Sequence, residues 1–297
     1  MKLFTLLEKA KVLELYSNAK INLGLSILNK REDGFHNLYS LFLPITLYDI
    51  LYFEPSSKVI VESNIGDIVP QEMNLCFKAA MALKKATGTK DGVRIVCKKE
   101  IPLGAGLGGG SSNAAFTLLG LRTFWNLDIS DADLLAIAET LGSDVPFFIK
   151  NTPSIVQGKG DILTETPIKV FPYSVLVVNP GIHSNTALAF KKLERTSTFF
   201  QSKIDYSLLF SKNVFDLQYS IDEIVNDFEI LLQKEYPILV EIKSTMLSFG
   251  ADLSIMTGSG STMIGLFSKE MKTDSLDTAY QYFKNIYTST YKVDCIL

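Results

Sequence analysis

A dense run of glycines is the segment whose composition points most directly to a chemistry. Five of the seven residues from Gly104 to Gly110 are glycine, whereas the whole chain has 19 glycines in 297 residues. The run follows a strand-like stretch and precedes a segment with helical character. Glycine lets backbone N–H groups approach phosphate oxygens, and a helix N-terminus adds partial positive charge. We therefore predict a phosphate-binding loop, with Gly109 as the point where backbone meets phosphate.

The glycine run is also compatible with structures other than a phosphate-binding loop. It could be a tight, closely packed turn. It is not a Walker loop, because no Gly-Lys-Ser or Gly-Lys-Thr occurs in the chain, and the His-Arg-Asp and Asp-Phe-Gly motifs of protein kinases are also missing. Gly104-x-Gly106-x-x-Gly109 matches the dinucleotide fingerprint, but no second strand ending in an acidic residue follows. A dinucleotide-binding oxidoreductase is therefore a less favoured alternative. A catalytically silent nucleotide sensor is a further one.

The sequence surroundings of two charged residues, Lys20 and Asp144, suggest a function for each of them. Lys20 lies among the apolar residues Ile21, Leu23 and Leu25, an unusual place for a cation unless it is paired or its ammonium reaches water at a sheet edge. Asp144 lies at a helix-end turn, where a carboxylate is often a cap or a surface charge. Phosphoryl transfer needs charge neutralisation and a group that orients the attacking hydroxyl. Asp144 is the candidate for the group that orients this hydroxyl and accepts its proton as a base.

Apolar periodicity predicts the elements that must position these residues. Strands are expected at residues 12–17, 20–28, 58–62, 93–98, 173–178, 252–257, 262–267 and 292–297. Helices are expected at residues 72–86, 113–125, 185–193, 221–234 and 238–249, and after Ser130, which with Asp133 resembles a capping box. Strands and helices follow no strict alternation, which favours an α+β fold over a doubly wound sheet.

Four motifs, in their order and spacing over roughly residues 17 to 297, resemble those of the GHMP small-molecule kinases. They are Ala19-Lys20-Ile21-Asn22-Leu23 with Arg31-Glu-Asp-Gly-Phe-His36, Pro102-Leu-Gly-Ala-Gly-Leu-Gly-Gly-Gly-Ser-Ser-Asn-Ala-Ala115, Leu141-Gly-Ser-Asp-Val-Pro-Phe147 and Thr257-Gly-Ser-Gly-Ser-Thr262. Asn18 stands where the family usually has proline, and residues 1–15 extend beyond the usual start. The resemblance implies a two-domain GHMP kinase fold. Its N-terminal nucleotide-binding domain, of the ribosomal protein S5 domain 2 type, would cover residues 1–152, and its C-terminal α/β-sandwich substrate domain residues 153–297.

The resemblance also implies a role for each motif residue. Lys20 and Asp144 would be catalytic, with Lys20 beside Asp144 stabilising charge on the hydroxyl or the moving phosphoryl group. The ATP-binding residues would be Pro102, Leu103, Gly104, Ala105, Gly106, Leu107, Gly108, Gly109, Gly110, Ser111 and Ser112, with the two serine hydroxyls reaching a phosphate or Mg²⁺. The substrate-binding residues would be Asn22, Phe35, His36, Thr186 and Phe190, and the loop of Gly258, Ser259 and Gly260 would support the phosphates. Without the other motifs, that loop would be an ordinary hairpin turn and Phe190 a core residue.

The activity implied is ATP- and Mg²⁺-dependent phosphorylation of a tertiary 2-hydroxyl on a cytidylated polyol, in non-mevalonate isoprenoid-precursor synthesis. His36 would hydrogen-bond the cytosine edge, while Phe35 and Phe190 would stack on its faces. A mevalonate- or homoserine-type kinase is the alternative within the superfamily, but those substrates carry no base to stack. The Phe35-His36 pair therefore favours the cytidylated substrate.

Composition limits the remaining classes of partner. The net charge of −3 gives no support for a general nucleic-acid or anionic-membrane binder. The three cysteines (Cys76, Cys97 and Cys295) are far apart and indicate reduced thiols, and the only two histidines, His36 and His183, argue against a His-rich metal site. The uncharged stretch from Ile101 to Leu121 is better explained by the glycine loop than by a membrane span. We expect a soluble, cytoplasmic enzyme without protein metal ligands or an obligate protein partner.

Overall fold

The computed structural model describes residues 4–7, 12–66, 69–184, 189–191, 193, 204–217, 221–270 and 274–297. The chain divides into two compact units. Unit 1 comprises Met1–Ala19, Leu47–Leu103 and Gly108–Asn151, and unit 2 comprises Lys20–Thr46, Gly104–Leu107 and Thr152–Leu297. The predicted boundary after residue 152 lies next to the change of unit at Asn151, although residues 20–46 and 104–107 group with unit 2. The assignment of domains to 1–152 and 153–297 stays a prediction.

Strands and helices alternate irregularly along the described chain. The strands are β1 (Phe4–Leu7), β2 (Val12–Lys30), β3 (His36–Ser56), β4 (Val59–Ser63), β5 (Gly92–Lys98), β6 (Ser154–Gln157), β7 (Ile162–Glu165), β8 (Tyr173–Val178), β9 (Phe210–Ser211), β10 (Val214–Phe215), β11 (Leu253–Met256), β12 (Met263–Ser268) and β13 (Thr290–Val293). The α-helices are α1 (Leu75–Thr87), α2 (Gly109–Phe124), α3 (Asp131–Leu141), α4 (Val145–Lys150), α5 (Asp227–Glu235), α6 (Ile238–Ser248) and α7 (Asp274–Lys284). Single 3-10 turns occur at Gln71–Met73, Tyr206–Leu209 and Ile221–Glu223.

Unit 1 contains β1, the first part of β2, the last part of β3, β4 and β5. The strand order of this sheet is β1-β2-β3-β5-β4, with β4 parallel to β5 and the pairs β1–β2 and β3–β5 antiparallel. Helices α1 to α4 complete the unit. Helix α1 begins where the Asn74 side chain accepts a hydrogen bond from the Cys76 amide, and it ends at Gly88, which takes the left-handed conformation at φ 73°. Helix α3 begins at Ser130, whose Oγ accepts from the Asp133 amide, so the predicted cap is confirmed.

Unit 2 contains a four-stranded antiparallel sheet in the order β11-β12-β8-β13. Strand β6 pairs with the first part of β3 and with β7, and β9 and β10 form a separate two-stranded pair. Helices α5, α6 and α7 contribute to one buried cluster with the sheet, which includes Phe228, Met246 and Phe283. Burial of these large apolar side chains is the dominant favourable contribution to such a core.

Some predicted elements are confirmed and others are wrong at their ends. Strand β8 has its predicted bounds, whereas strands predicted at 12–17 and 20–28 form one strand. Strand β3 was missed, because Ser40–Ile45 is buried without interruption and shows no alternation. The terminal strand ends at Val293, since the chain beyond it runs beside β3, where the Ile296 amide donates to the Pro44 carbonyl at 2.8 Å. Most of the helix predicted at 185–193 lies outside the described residues.

The uncharged stretch from Ile101 to Leu121 is accounted for without a membrane. Its first part is the glycine loop, and its second part is helix α2, which packs against α1, α3 and α4. Among the described residues, no helix is long and apolar enough to cross a membrane.

Candidate active site

Helix α2 begins inside the glycine run, earlier than predicted. Gly108 is its N-cap at φ 69°, and the first helical hydrogen bond runs from the Ser112 amide to the Gly108 carbonyl at 2.9 Å. Helix geometry leaves the amides of Gly109, Gly110 and Ser111 without an intrahelical acceptor. The start of this 16-residue helix also carries partial positive charge. The end of the glycine run is therefore suited to an anion.

A buried carboxylate holds the chain that leads into this helix. Asp49 is fully buried, and its Oδ1 accepts hydrogen bonds from the amides of Glu100 and Ile101 at 2.8 and 2.9 Å. Its Oδ2 accepts from Asn113 Nδ2 at 2.9 Å and pairs with the ammonium of Lys99. Lys99 Nζ also donates to Asn113 Oδ1 at 2.8 Å. Asp49 thus ties the entry of the glycine run to the beginning of α2.

Two residues of the run make structural contacts that the sequence did not predict. Ser112 is fully buried and its Oγ shares a 2.7 Å hydrogen bond with Ser17 Oγ, so its hydroxyl supports the loop instead of reaching a phosphate. A Cβ built on Gly109 would lie 2.9 Å from the Cγ2 atom of Ile101, so this glycine is needed for packing. Gly110 is exposed, and a Cβ there would meet only a methyl group of Leu75, at 3.6 Å. Gly110 therefore has space for a side chain, whereas Gly109 does not.

A cleft of about 280 Å³ opens beside Gly110 in unit 1. Its apolar lining comes from Val61, Ile65, Val69, Met73, Leu75 and Leu103. Cys76 and Cys97 also line the cleft. Burial raises the pKa of both thiols, so both side chains are neutral and neither is a nucleophile. An apolar slot next to a helix N-terminus suits a flat, uncharged ring attached to a phosphate. The sequence pattern did not reveal this slot, because its lining comes from separate segments of the chain.

In unit 2, the first part of the glycine run packs on the second glycine loop. A Cβ on Gly106 would lie 2.4 Å from the Thr257 carbonyl oxygen, and one on Gly258 would lie 2.8 Å from the Gly106 carbonyl oxygen. Both glycines also have positive φ, 77° and 58°. The buried Asn226 side chain donates to two backbone carbonyls of this region at 2.7 and 2.8 Å. The predicted supporting role of Gly258–Gly260 thus has a basis in close backbone packing.

Lys20 is buried in β2, with 3% of its surface exposed. Its Nζ donates to Asn22 Oδ1 at 2.5 Å and lies 4.1 Å from the centroid of the Phe42 ring. The alternative that its ammonium extends into water is therefore wrong. A buried ammonium is unfavourable unless polar groups or an aromatic face compensate it, and both kinds of partner are present here.

The side chain of Asn22 fixes the position of the Lys20 ammonium by a hydrogen bond. Asn22 is 2% exposed, its Oδ1 accepts from Lys20, and its Nδ2 donates to Ser40 Oγ at 3.0 Å. Ser40 Oγ in turn donates to the Gly24 carbonyl at 2.6 Å. Both ends of the Asn22 amide thus have internal partners, which gives Asn22 a positioning role towards Lys20. The amide oxygen and nitrogen can each form a second hydrogen bond, so the predicted contact of Asn22 with a polyol stays a prediction. The sequence offered one signal of the positioning role: Asn22 lies two residues from Lys20 on the same strand.

Asp144 is half-buried at the N-cap position of α4, and its carboxylate does not accept the capping hydrogen bond from that helix. The interpretation of Asp144 as a helix cap is therefore wrong. Pro146 in the first turn fixes the backbone next to it, because proline is favoured there and needs no amide partner. The catalytic role of Asp144 stays a prediction.

Aromatic residues predicted to bind a base come together in part. His36 is 6% exposed, and its ring stacks on Phe190 with centroids 5.4 Å apart and planes 17° apart. Phe35 is 59% exposed, and Lys159 Nζ lies 5.5 Å from the centroid of its ring. Thr186 lies outside the described residues. The arrangement of a base between Phe35 and Phe190, with its edge at His36, stays a prediction.

The similarity of the chain to known proteins extends over almost its whole length. A model of the GHMP kinases N terminal domain matches residues 74–152, and one of the GHMP kinases C terminal matches residues 208–283. The 4-diphosphocytidyl-2-C-methyl-D-erythritol kinase of Thermodesulfovibrio yellowstonii is 39% identical over 275 residues, which are 90% of this chain and 92% of that protein. The chain belongs to the 4-diphosphocytidyl-2-C-methyl-D-erythritol kinase family. The predicted family is confirmed.

Solved structures agree with membership of this family. A crystal structure of a 4-(cytidine 5'-diphospho)-2C-methyl-D-erythritol kinase matches with a TM-score of 0.74 and 31% identity, covering 95% of this chain and 98% of that one. The mevalonate kinase of Methanococcus jannaschii matches with a TM-score of 0.62 at 15% identity, covering 96% of this chain and 98% of that one, which shows a shared fold alone. The expected α+β GHMP kinase fold is confirmed.

Removal of the Ser40 hydroxyl tests the support of Lys20 by Asn22. We expect Ser40→Ala to lower kcat roughly 10-fold with little change in KM, because a buried amide loses its acceptor and the lysine loses its fixed position. Steady-state kinetics at saturating substrates measure this. Ser154→Ala is the matched control, since Ser154 is equally buried and donates only to the Thr152 carbonyl at 2.9 Å. Equal kcat values for both variants would refute the positioning role.

Proposed function

We propose that the chain transfers the γ-phosphoryl group of ATP to the 2-hydroxyl of 4-diphosphocytidyl-2-C-methyl-D-erythritol, giving the 2-phosphate and ADP in the non-mevalonate isoprenoid pathway. The observation that carries this proposal is the 39% identity, over 90% of the chain, to a relative of that name. A mevalonate- or homoserine-type kinase is not favoured. The three cysteines, Cys76, Cys97 and Cys295, are odd in number and far apart in the sequence, which is typical of reduced thiols and supports a cytoplasmic enzyme. A small-molecule substrate requires no nucleic-acid, membrane or obligate protein partner.

Support for ATP as the phosphoryl donor comes from two adjoining features of unit 1. The amides of Gly109, Gly110 and Ser111 offer donors to phosphate oxygens at the start of α2. The cleft beside Gly110 has the apolar lining that an adenine ring requires. We assign the adenine to this cleft and the phosphates to the glycine run.

The residues present fit Mg²⁺ only as a companion of ATP. Among the residues that the structure describes, no three His, Cys, Asp or Glu side chains lie close enough to hold a metal ion by themselves. Mg²⁺ in kinases is held largely by the nucleotide phosphates and water, with one or two side chains added. The Ser111 hydroxyl, in the first turn of α2, is the side-chain group that would add to its shell. The ion would supply charge neutralisation on the phosphates.

Asp144 and Lys20 divide the chemistry at the acceptor hydroxyl. The Asp144 carboxylate accepts the proton of the 2-hydroxyl as its oxygen forms a bond to the γ-phosphorus and the bond to ADP breaks. Lys20, held by Asn22 and Phe42, stabilises the negative charge that develops on the hydroxyl oxygen and the transferred group. Because Lys20 is already fixed and desolvated, it needs little rearrangement when that charge appears.

Substitution of Asp144 tests its role as the base. We expect Asp144→Asn to lower kcat ~100-fold or more while nucleotide binding changes little, since an amide cannot accept the proton. Single-turnover ADP release and equilibrium binding of an ATP analogue measure the two effects. Asp131→Asn is the matched control, an exposed aspartate in the first turn of α3. Near-normal turnover of a folded Asp144→Asn variant would contradict the assignment.

Gly110 provides the test of the ATP site. We expect Gly110→Val to raise KM for ATP far more than KM for the alcohol, because its side chain would extend towards the cleft and the phosphate position. Thermal unfolding should change little, since the site is open. Gly109→Val is the comparison, and its side chain displaces Ile101, so its melting temperature should fall. Equal changes in the two KM values for Gly110→Val would place the nucleotide elsewhere.

Discrimination between pyrimidines tests the cytidylated substrate. Cytosine has an acceptor ring nitrogen and a donor amine, whereas uracil reverses both, and the wrong base leaves polar groups unpaired at ~1–3 kcal/mol each. We expect CDP to compete with the alcohol at least ~10-fold better than UDP, after correction for the ATP site. Phe190→Ala should weaken binding of the cytidylated alcohol by a similar factor, since base stacking contributes ~1–3 kcal/mol.

The control for Phe190→Ala is Phe249→Ala, because both phenylalanines are partly buried against the same core of unit 2. The control should lose stability but keep its affinity for CDP. Equal competition by CDP and UDP, with Phe190→Ala changing stability alone, would exclude the cytidylated substrate. ADP release with mevalonate or homoserine in place of the cytidylated alcohol would then identify the acceptor.

A further inference from the structure

His183 is a titratable side chain to which neither the motifs nor the proposed mechanism gives a role. It follows strand β8 in unit 2, and it is exposed. A Cβ built on Gly104 would lie 2.5 Å from both Nδ1 and Cε1 of His183, whereas Cγ would be 3.8 Å away. The Nδ1–Cε1 edge of the ring therefore faces the backbone of the first glycine in the run. The other nitrogen, Nε2, is farther from this glycine.

The backbone around His183 is attached to the second glycine loop. Ser261 Oγ donates to the Ile182 carbonyl at 2.5 Å, and Ser184 Oγ donates to the Ser259 carbonyl at 2.7 Å. These two hydrogen bonds lie one residue before and one residue after the histidine. The imidazole is thus placed where the two glycine loops meet, and its backbone is fixed before any ligand arrives.

Neither glycine loop carries a charged side chain of its own. Residues 104–110 consist of glycine, alanine and leucine, and residues 257–262 of threonine, glycine and serine. Backbone amides bind phosphate oxygens, but a phosphate group near unit charge is better balanced by an additional polar or cationic donor. His183 is an exposed donor that both loops hold in place.

We propose that His183 is a phosphate-binding residue, and that its Nε2 donates a hydrogen bond to a phosphate oxygen of a ligand held against Gly104–Leu107. The edge of the ring on Gly104 fixes the orientation of the imidazole. The absence of a side chain at Gly104 is required for this contact, since any Cβ there would displace the ring. This inference rests on the proposed function.

Two ligands of the proposed reaction carry the required chemistry. One is ATP, and the other is the cytidylated alcohol, whose diphosphate links the base to the polyol. Both present non-bridging phosphate oxygens, so the contact with His183 is the same in kind. The measured ligand dependence decides between them.

The experiment compares wild-type enzyme with His183→Ala and His183→Gln. Glutamine keeps a donor nitrogen at about the reach of imidazole Nε2, whereas alanine removes it. We expect His183→Ala to raise KM for one of the two substrates about 10-fold, as befits loss of a hydrogen bond to a charged group, with kcat within about 2-fold of wild type. His183→Gln should recover much of the loss. Gln281→Ala, an exposed residue of α7, is the control for surface truncation.

Direct binding gives a second readout that needs no turnover. Titration with CDP and with a non-hydrolysable ATP analogue should show weaker binding of the same ligand whose KM rises. A rise confined to ATP assigns the contact to the nucleotide phosphates, and a rise confined to the alcohol and CDP assigns it to the substrate diphosphate. Unchanged KM and binding for both ligands would overturn the proposal, as would equal losses for both ligands with a lowered melting temperature and no recovery in His183→Gln.

Failure of the proposed function is distinguishable from failure of this inference. If wild-type enzyme releases no ADP with the cytidylated alcohol, the proposed function fails, while the binding titrations still test His183. If the wild-type enzyme turns over and the His183 variants bind and react as it does, the proposed function stands and the role of His183 is refuted.

Discussion

The buried carboxylate of Asp49 is the constraint on which the architecture of unit 1 depends. A carboxylate without exposure to water is strongly unfavourable unless donors surround it, and here two backbone amides, an amide side chain and an ammonium do so. Those donors come from the exit of β5, the entry of the glycine run and the second turn of α2. Replacement of any one would leave a buried charge underpartnered. The direction of the free amides at the start of α2 is therefore set by a residue that touches no ligand.

The same principle operates with the opposite charge in unit 2. Lys20 is almost as buried as Asp49, and its partners include a neutral amide oxygen and the face of Phe42. These two partners hold the ammonium without cancelling its charge, whereas Lys99 pairs with Asp49 directly. Asn22 and Phe42 thus fix the position of the Lys20 ammonium, as the proposed stabilisation of a developing anion requires. The Asp49–Lys99 pair thus supports the fold, whereas Asn22 and Ser40 support the lysine to which we assign a catalytic role.

The sequence allowed the motifs to be recognised, but it did not predict the buried residues that hold the motif side chains in place. A cation among apolar residues drew attention to Lys20, which the structure buries. The same test would have found Asp49, which lies in the apolar stretch from Leu41 to Phe53. Strand β3 was missed for two reasons. Its residues 40–45 are buried on both faces, and from Thr46 to Phe53 the half-buried positions hold Tyr48, Ile50 and Tyr52, so the sequence shows little period-two alternation although burial alternates. The hydrogen bond from Lys20 to Asn22 was not predicted, because a sequence shows residue types and not their partners. Ser40, 18 residues away, could be joined to Asn22 only by the fold.

Glycine density itself has more than one cause in this chain. Gly106 and Gly258 are required because their backbones pack on each other, Gly109 because Ile101 fills the space a Cβ would take, and Gly104 because His183 lies there. Gly110 alone among these five has open space for a Cβ apart from one methyl group at 3.6 Å. Close packing and phosphate binding are therefore compatible causes of the same run. The packing of Gly106 on Gly258 brings the two loops of unit 2 into contact. The amides at the start of α2 have no intrahelical acceptor for a separate reason, which is the geometry of every helix N-terminus.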